Sequence, residues 1–144
     1  MLISGVWHLC DDGCTRPVFR GEILAGDGTW VQARCLVDIG ADRTVFSADI
    51  LEALHLPPLS SPDRLAGVGG VSPSVGVQTQ IVFFREDGSR VAFRGQFAAF
   101  TEVVALDMSV LGRDITNLFA VIVDRPGDVV CMVAQGHGYL IQTR

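Results

Sequence analysis

Apolar residues in this chain come in short alternating runs broken by glycine, proline and aspartate, and few stretches hold a helical period. Residues 18–25 and 29–37 are two such runs flanking Gly26-Asp27-Gly28, the signature of a β-hairpin. Val75, Val77, Thr79, Ile81 and Phe83 alternate with Gly76, Gln78, Gln80 and Val82, a strand with two different faces. Glu86-Asp87-Gly88-Ser89 is a second hairpin turn, leading into a run over residues 90–100. Shorter runs at 103–106, 119–123, 129–133 and 139–143 are separated by Arg125-Pro126-Gly127-Asp128 and Gly136-His137-Gly138. Two helices are expected. One covers 47–54, with Ser47 as N-cap, Asp49 in its first turn and Pro57-Pro58 as its stop, and the other covers 113–118. Strands spaced by turns predict an all-β chain closed into a barrel, with one or two short helices. Residues 1–17 mix Asp11-Asp12-Gly13 with apolar positions and are expected to be an irregular segment ahead of a domain at 18–144.

Composition narrows this picture. At 144 residues the chain is one domain, large enough to bury about two-thirds of its unfolded surface. Hydrophobic residues make up 49% and charged ones 19%, which leaves apolar surface for an interface. A net charge of −5, with 11 basic residues scattered along the chain, argues against nucleic acid as a partner. No apolar window is long enough to span a membrane and Met1-Leu2-Ile3-Ser4-Gly5 has no signal-peptide character, so a cytoplasmic protein is expected. Cys10, Cys14, Cys35 and Cys131 have no disulfide-framework spacing. His8-x-Cys10-x3-Cys14 lacks a fourth ligand, so no metal is expected, and a metal-dependent enzyme built on His8, Asp11, Asp12 and the cysteines has little support.

The candidate chemistry sits in Leu36-Val37-Asp38-Ile39-Gly40-Ala41-Asp42, where a buried strand ends in a carboxylate followed by glycine. Gly40 is expected to supply a bend that a Cβ would resist. Two later segments accompany it: the glycine-rich Leu65-Ala66-Gly67-Val68-Gly69-Gly70-Val71 and Val110-Leu111-Gly112-Arg113-Asp114. In order and spacing these three segments resemble the retropepsin-like aspartic proteases over roughly residues 18–124. The resemblance implies a closed-barrel retropepsin-like fold, a catalytic Asp38 and a hairpin flap tipped by Gly67, Val68, Gly69 and Gly70. It also implies that Asp42 pairs with Arg113 to steady the catalytic loop.

Hydrolysis of a peptide by carboxylates needs one as general base for water and a second, protonated, to polarise the carbonyl and protonate the leaving nitrogen. The chain has no internal repeat and a single Asp-x-Gly segment of this kind, so a homodimer is required, its two Asp38 carboxylates sharing a proton. The expected function is therefore an aspartic endopeptidase acting on a polypeptide substrate, without cofactor. Ile39 departs from the pattern, since the family places there a hydroxyl residue that hydrogen-bonds across the dimer axis. The missing hydroxyl is expected to leave a buried backbone group unpaired, or the branched side chain packs on its symmetry mate. The alternative reading is a catalytically impaired dimerisation and peptide-binding module.

Overall fold

Three Asp-Gly pairs set the local geometry of the chain. In each, the residue after glycine donates its N–H to the aspartate Oδ1: Cys14 to Asp12 at 3.0 Å, Thr29 to Asp27 at 3.0 Å, Ser89 to Asp87 at 2.8 Å. Gly13, Gly28 and Gly88 take φ of +82°, +86° and +81°, and five-residue backbone closures (Cys10 N–H to Cys14 O, Ala25 to Thr29, Arg85 to Ser89, each 2.8 Å) complete three near-identical hairpins.

The computed structural model describes residues 1–59, 63–67, 70–103 and 108–134, with backbone alone for 63–67 and 70–72. In chain order the elements are β1 (Leu2–Ser4), β2 (Val6–Leu9), β3 (Thr15–Leu24), β4 (Trp30–Val37), β5 (Val45–Phe46), α1 (Ala48–Leu54), β6 (Asp63–Gly67), β7 (Gly70–Phe84), β8 (Arg90–Phe100), β9 (Ser109–Leu111), α2 (Arg113–Thr116), β10 (Ala120–Asp124) and β11 (Val129–Val133). The larger sheet runs β2-β3-β4-β9-β5-β8-β7-β6, and a further β3–β7 pairing joins strands that would otherwise be far apart in it. The strands β3, β4, β9, β5, β8 and β7 thereby form a closed ring, which removes the free edges an open sheet would leave. A second sheet, β1-β11-β10, docks beside it through Gly5 N–H to Val130 O at 2.7 Å.

Alternation places Phe19, Ile23, Cys35, Val77, Ile81 and Phe83 inside the ring, joined by Phe46, Leu54 and Leu111. Edge-to-face contacts run from Phe19 to Phe83, Phe93 and Phe119 with centroids 6.2, 6.2 and 5.9 Å apart. Full burial pushes the Cys35 thiol up to about 12, so it packs as a small hydrophobe. No helix among the described residues is long and apolar enough to cross a membrane.

The all-β barrel with two short helices agrees with the pattern of the sequence; its edges differ. The first 17 residues are not irregular: β1, β2 and the start of β3 occupy them, held by pairing with distant partners such as Leu2↔Val133 and Ile3↔Met132. The second helix stops at Thr116, because the N–H groups of Leu118 and Phe119 already turn back to Ile115 and Thr116 in a tightened exit. Val103 lies outside any strand; 104–107, and with them the rest of the strand expected at 103–106, fall outside the described residues, as does the one expected at 139–143.

Candidate active site

Two strands run parallel at the barrel mouth, β4 and β9, with Val37 opposite Leu111. Where they end, the chain of each turns over the other. Asp38 N–H donates to Leu111 O at 3.2 Å, continuing the ladder by one residue and fixing the carboxylate at the strand end. A tight turn follows, with Ala41 N–H on Asp38 O at 3.1 Å and Gly40 N–H on Asp38 Oδ1 at 3.0 Å. Asp38 is half-buried, and its Oδ2 has no hydrogen-bond partner among the described residues.

From the other side, α2 clamps this turn. Arg113 N–H donates to Ala41 O at 2.8 Å, Arg113 Nη1 reaches Ile39 O at 3.4 Å, and Arg113 Nη2 pairs with the Asp42 carboxylate. Asp42 and Arg113 are thus in contact across 71 positions of sequence. The pair is exposed, with Asp42 at 82%, so its contribution to stability is at most about 1 kcal/mol. Its geometric effect is larger, because one guanidinium grips the turn at two points.

Beneath the turn lies a network that sequence reasoning missed, in which Thr44 and Gly112 are buried and Asp114 reaches the surface. The Thr44 hydroxyl donates to Asp114 Oδ1 at 2.7 Å and accepts from Gly112 N–H at 3.1 Å, while Thr44 N–H also donates to Asp114 Oδ1 at 2.9 Å. Thr44 is fully buried. Gly112 passes so close that a Cβ would lie 2.2 Å from the Arg43 carbonyl carbon. Nearby, buried Ser109 accepts from Ser47 N–H at 3.0 Å, and Ser47 caps α1 by accepting from Ile50 N–H at 3.4 Å. The available signals were a threonine placed before the apolar pair Val45-Phe46 and an acid in the first turn of a short helix.

Two sequence expectations change here. Gly40 does not occupy the left-handed region, and a Cβ on it would meet only Asp38 Oδ1 at 3.2 Å, so its smallness serves the carboxylate rather than the bend. Ile39 is 66% exposed, and its carbonyl is taken by Arg113, so the missing hydroxyl does not leave that carbonyl unpaired. Ala41 is half-buried and completes the turn. The glycine-rich segment is a hairpin in which β6 and β7 pair up to Gly67↔Gly70; Val68 and Gly69 at its tip lie outside the described residues. Among the described residues no group of three metal-ligating side chains occurs, and the His8 ring is engaged by Arg34 at 2.6 Å.

No protein-family model and no curated protein matches the chain. Solved structures similar to it include the following two. The EIAV protease complexed with the inhibitor HBY-793 aligns with a TM-score of 0.48 and 21% identity, over 71% of this chain and 86% of that one. A retropepsin-like aspartic protease from Rickettsia conorii aligns with a TM-score of 0.56 and 15% identity, over 92% of this chain and 88% of that one. The chain has a retropepsin-like, all-β fold.

Proposed function

We propose that the protein is an aspartic endopeptidase that works as a homodimer, each chain contributing one Asp38. The observation that carries this is the state of Asp38 itself: held by its backbone and one carboxylate oxygen on a clamped turn, with Oδ2 unengaged among the described residues. One carboxylate cannot be both base and acid in the same step. Two copies facing each other across a two-fold axis share one proton, since like charges at that range cannot both ionise. The ionised member takes a proton from water, which attacks the peptide carbonyl; the protonated member stabilises the developing oxyanion and later protonates the leaving nitrogen.

In this reading the β6–β7 hairpin is the flap that closes over an extended polypeptide, and its glycines at 67, 69 and 70 permit the movement. The interface takes in the loop at 38–42, with exposed Ile39 packing on its mate, and the chain-terminal strands. Ile39 also favours a second reading, a dimeric peptide-binding module with little or no turnover, because an apolar contact replaces a directional hydrogen bond at the axis.

A peptide-library cleavage assay across acid to neutral pH, run with an aspartic-protease inhibitor and beside sedimentation, tests both. Inhibitable cleavage with a bell-shaped acid profile from a dimer is expected. A dimer that retains peptides without cutting them supports the second reading, and a monomer at tens of micromolar removes both.

A further inference from the structure

The outer face of the barrel carries a feature that the proposed chemistry does not use. Arg20 on β3 and Arg34 on β4 are directly opposite each other in the ladder, both exposed, and like charges in that relation repel. Among the described residues neither has an acid within ion-pair distance; the pairs that form are Arg16–Asp12, Arg113–Asp42 and Arg125–Asp128. Arg34 Nη1 instead lies 2.6 Å from His8 Nε2, an imidazole nitrogen that brings no negative charge to offset its own. These three side chains line one open groove of about 650 Å³, with Glu22, Gln32 and Phe84 on its other walls. Phe84 is set in place by Arg90, whose guanidinium carbon lies 5.5 Å from its ring and 5.7 Å from that of Trp30. Arginines scattered in sequence are therefore gathered by the sheet into a cationic hollow on a protein of net charge −5.

We propose that this groove binds the oxyanion of a small ligand, a phosphate or a carboxylate, between Arg20 and Arg34. Guanidinium forks match the spacing of oxyanion oxygens, and a bound anion removes the repulsion that the empty pair carries. Glu22, opposite Gln32 two pairs further along on the same face, turns away long polyanions and confines the negative charge to the arginine end. The inference is independent of the peptidase reading.

The test is a calorimetric titration of the intact protein with inorganic phosphate and, separately, with acetate, followed in parallel by the NMR shifts of the His8 ring. Saturable binding of at least one anion is expected, and the better of the two identifies the source. Arg20→Gln and Arg34→Gln should each weaken it at least about tenfold, whereas Arg94→Gln, outside the groove, and Asp38→Asn leave it unchanged. Glu22→Gln should tighten it several-fold, a gain that misfolding cannot imitate. No saturable binding of either anion, equal weakening by Arg94→Gln, or no gain from Glu22→Gln overturns the proposal.

Discussion

The loop at 38–44 has two sides that differ in every physical respect. Its inner side is the Thr44–Asp114–Gly112 network, centred on buried Thr44 and Gly112 and paired within a single chain. Its outer side presents Ile39 and Asp42 to solvent beside half-buried Asp38, with an apolar side chain 66% exposed and a carboxylate oxygen without a partner among the described residues. The contrast separates two tasks. Rigidity is complete within one chain, while the proposed chemistry is left for a second chain to complete. Substitutions on the outer side should then act on rate and assembly, and those on the inner side on stability.

The largest expected effect is on the outer side. Asp38→Asn keeps the shape and the Gly40 contact, but the amide cannot exchange a proton, so cleavage should fall to background while melting temperature and dimer affinity stay near wild type. Undiminished cleavage by this variant would assign the chemistry elsewhere. A large loss of stability would instead break the division between the two sides.

On the inner side, Gly112→Ala forces a Cβ to within 2.2 Å of the Arg43 backbone. Overpacking against backbone costs about 3 kcal/mol. Thr44→Val keeps the volume but strands the buried Gly112 N–H, costing about 2 kcal/mol, while Asp114 Oδ1 keeps the N–H groups of Thr44 and Ile115. Urea unfolding of each variant in the Asp38→Asn background reads these losses free of any autolysis. Wild-type midpoints would show that the network is not what holds the turn.

This division also explains what the sequence disclosed. The hairpins at Asp27-Gly28 and Asp87-Gly88 were legible because an Asp-Gly pair between alternating runs is a local signal, and the outer loop because its residues are contiguous; the like pair Asp12-Gly13 lacked such flanking runs and was missed. The inner network was not, since Thr44 meets Gly112 and Asp114 across 68 and 70 positions, and no local pattern encodes that meeting. The strands in the first 17 residues escaped for the same reason. Val6–Leu9 lacks a clean alternation of burial and exists because β3 pairs with it. Gly40 misled in the opposite way: a local rule about bends was applied where the neighbouring carboxylate sets the limit.

Ile39→Thr sharpens the boundary between the sides at a smaller scale. A hydroxyl there offers a bridge across the proposed axis and gives up apolar packing of about 1 kcal/mol. If loop alignment limits turnover, kcat rises more than KM changes. Weaker dimerisation with no gain in rate would instead mean that the interface is adapted to paired isoleucines.

The smallest effect concerns aspartates that, like Asp38, accept an N–H two residues on at Oδ1, but whose Oδ1 takes a hydroxyl as well. The Thr29 hydroxyl and then its N–H hold Asp27 below the usual carboxylate range, and those of Ser89 do the same for Asp87. A folded pKa below the unfolded one means that the unfolded chain binds the proton more readily. The stabilisation is therefore fully present above the unfolded value of about 4 and is lost as pH falls through the folded value. Asparagine preserves the acceptor oxygen without the charge, so Asp27→Asn/Asp87→Asn, in the Asp38→Asn background, should lower the melting temperature slightly at pH 6. That deficit should shrink as the pH is taken down through the carboxylate range, and both carboxylates are fully exposed, so salt should shrink it too. A deficit that persists unchanged in strong acid would show that these side chains act through turn shape alone, and that charge contributes nothing to the hairpins that frame the barrel.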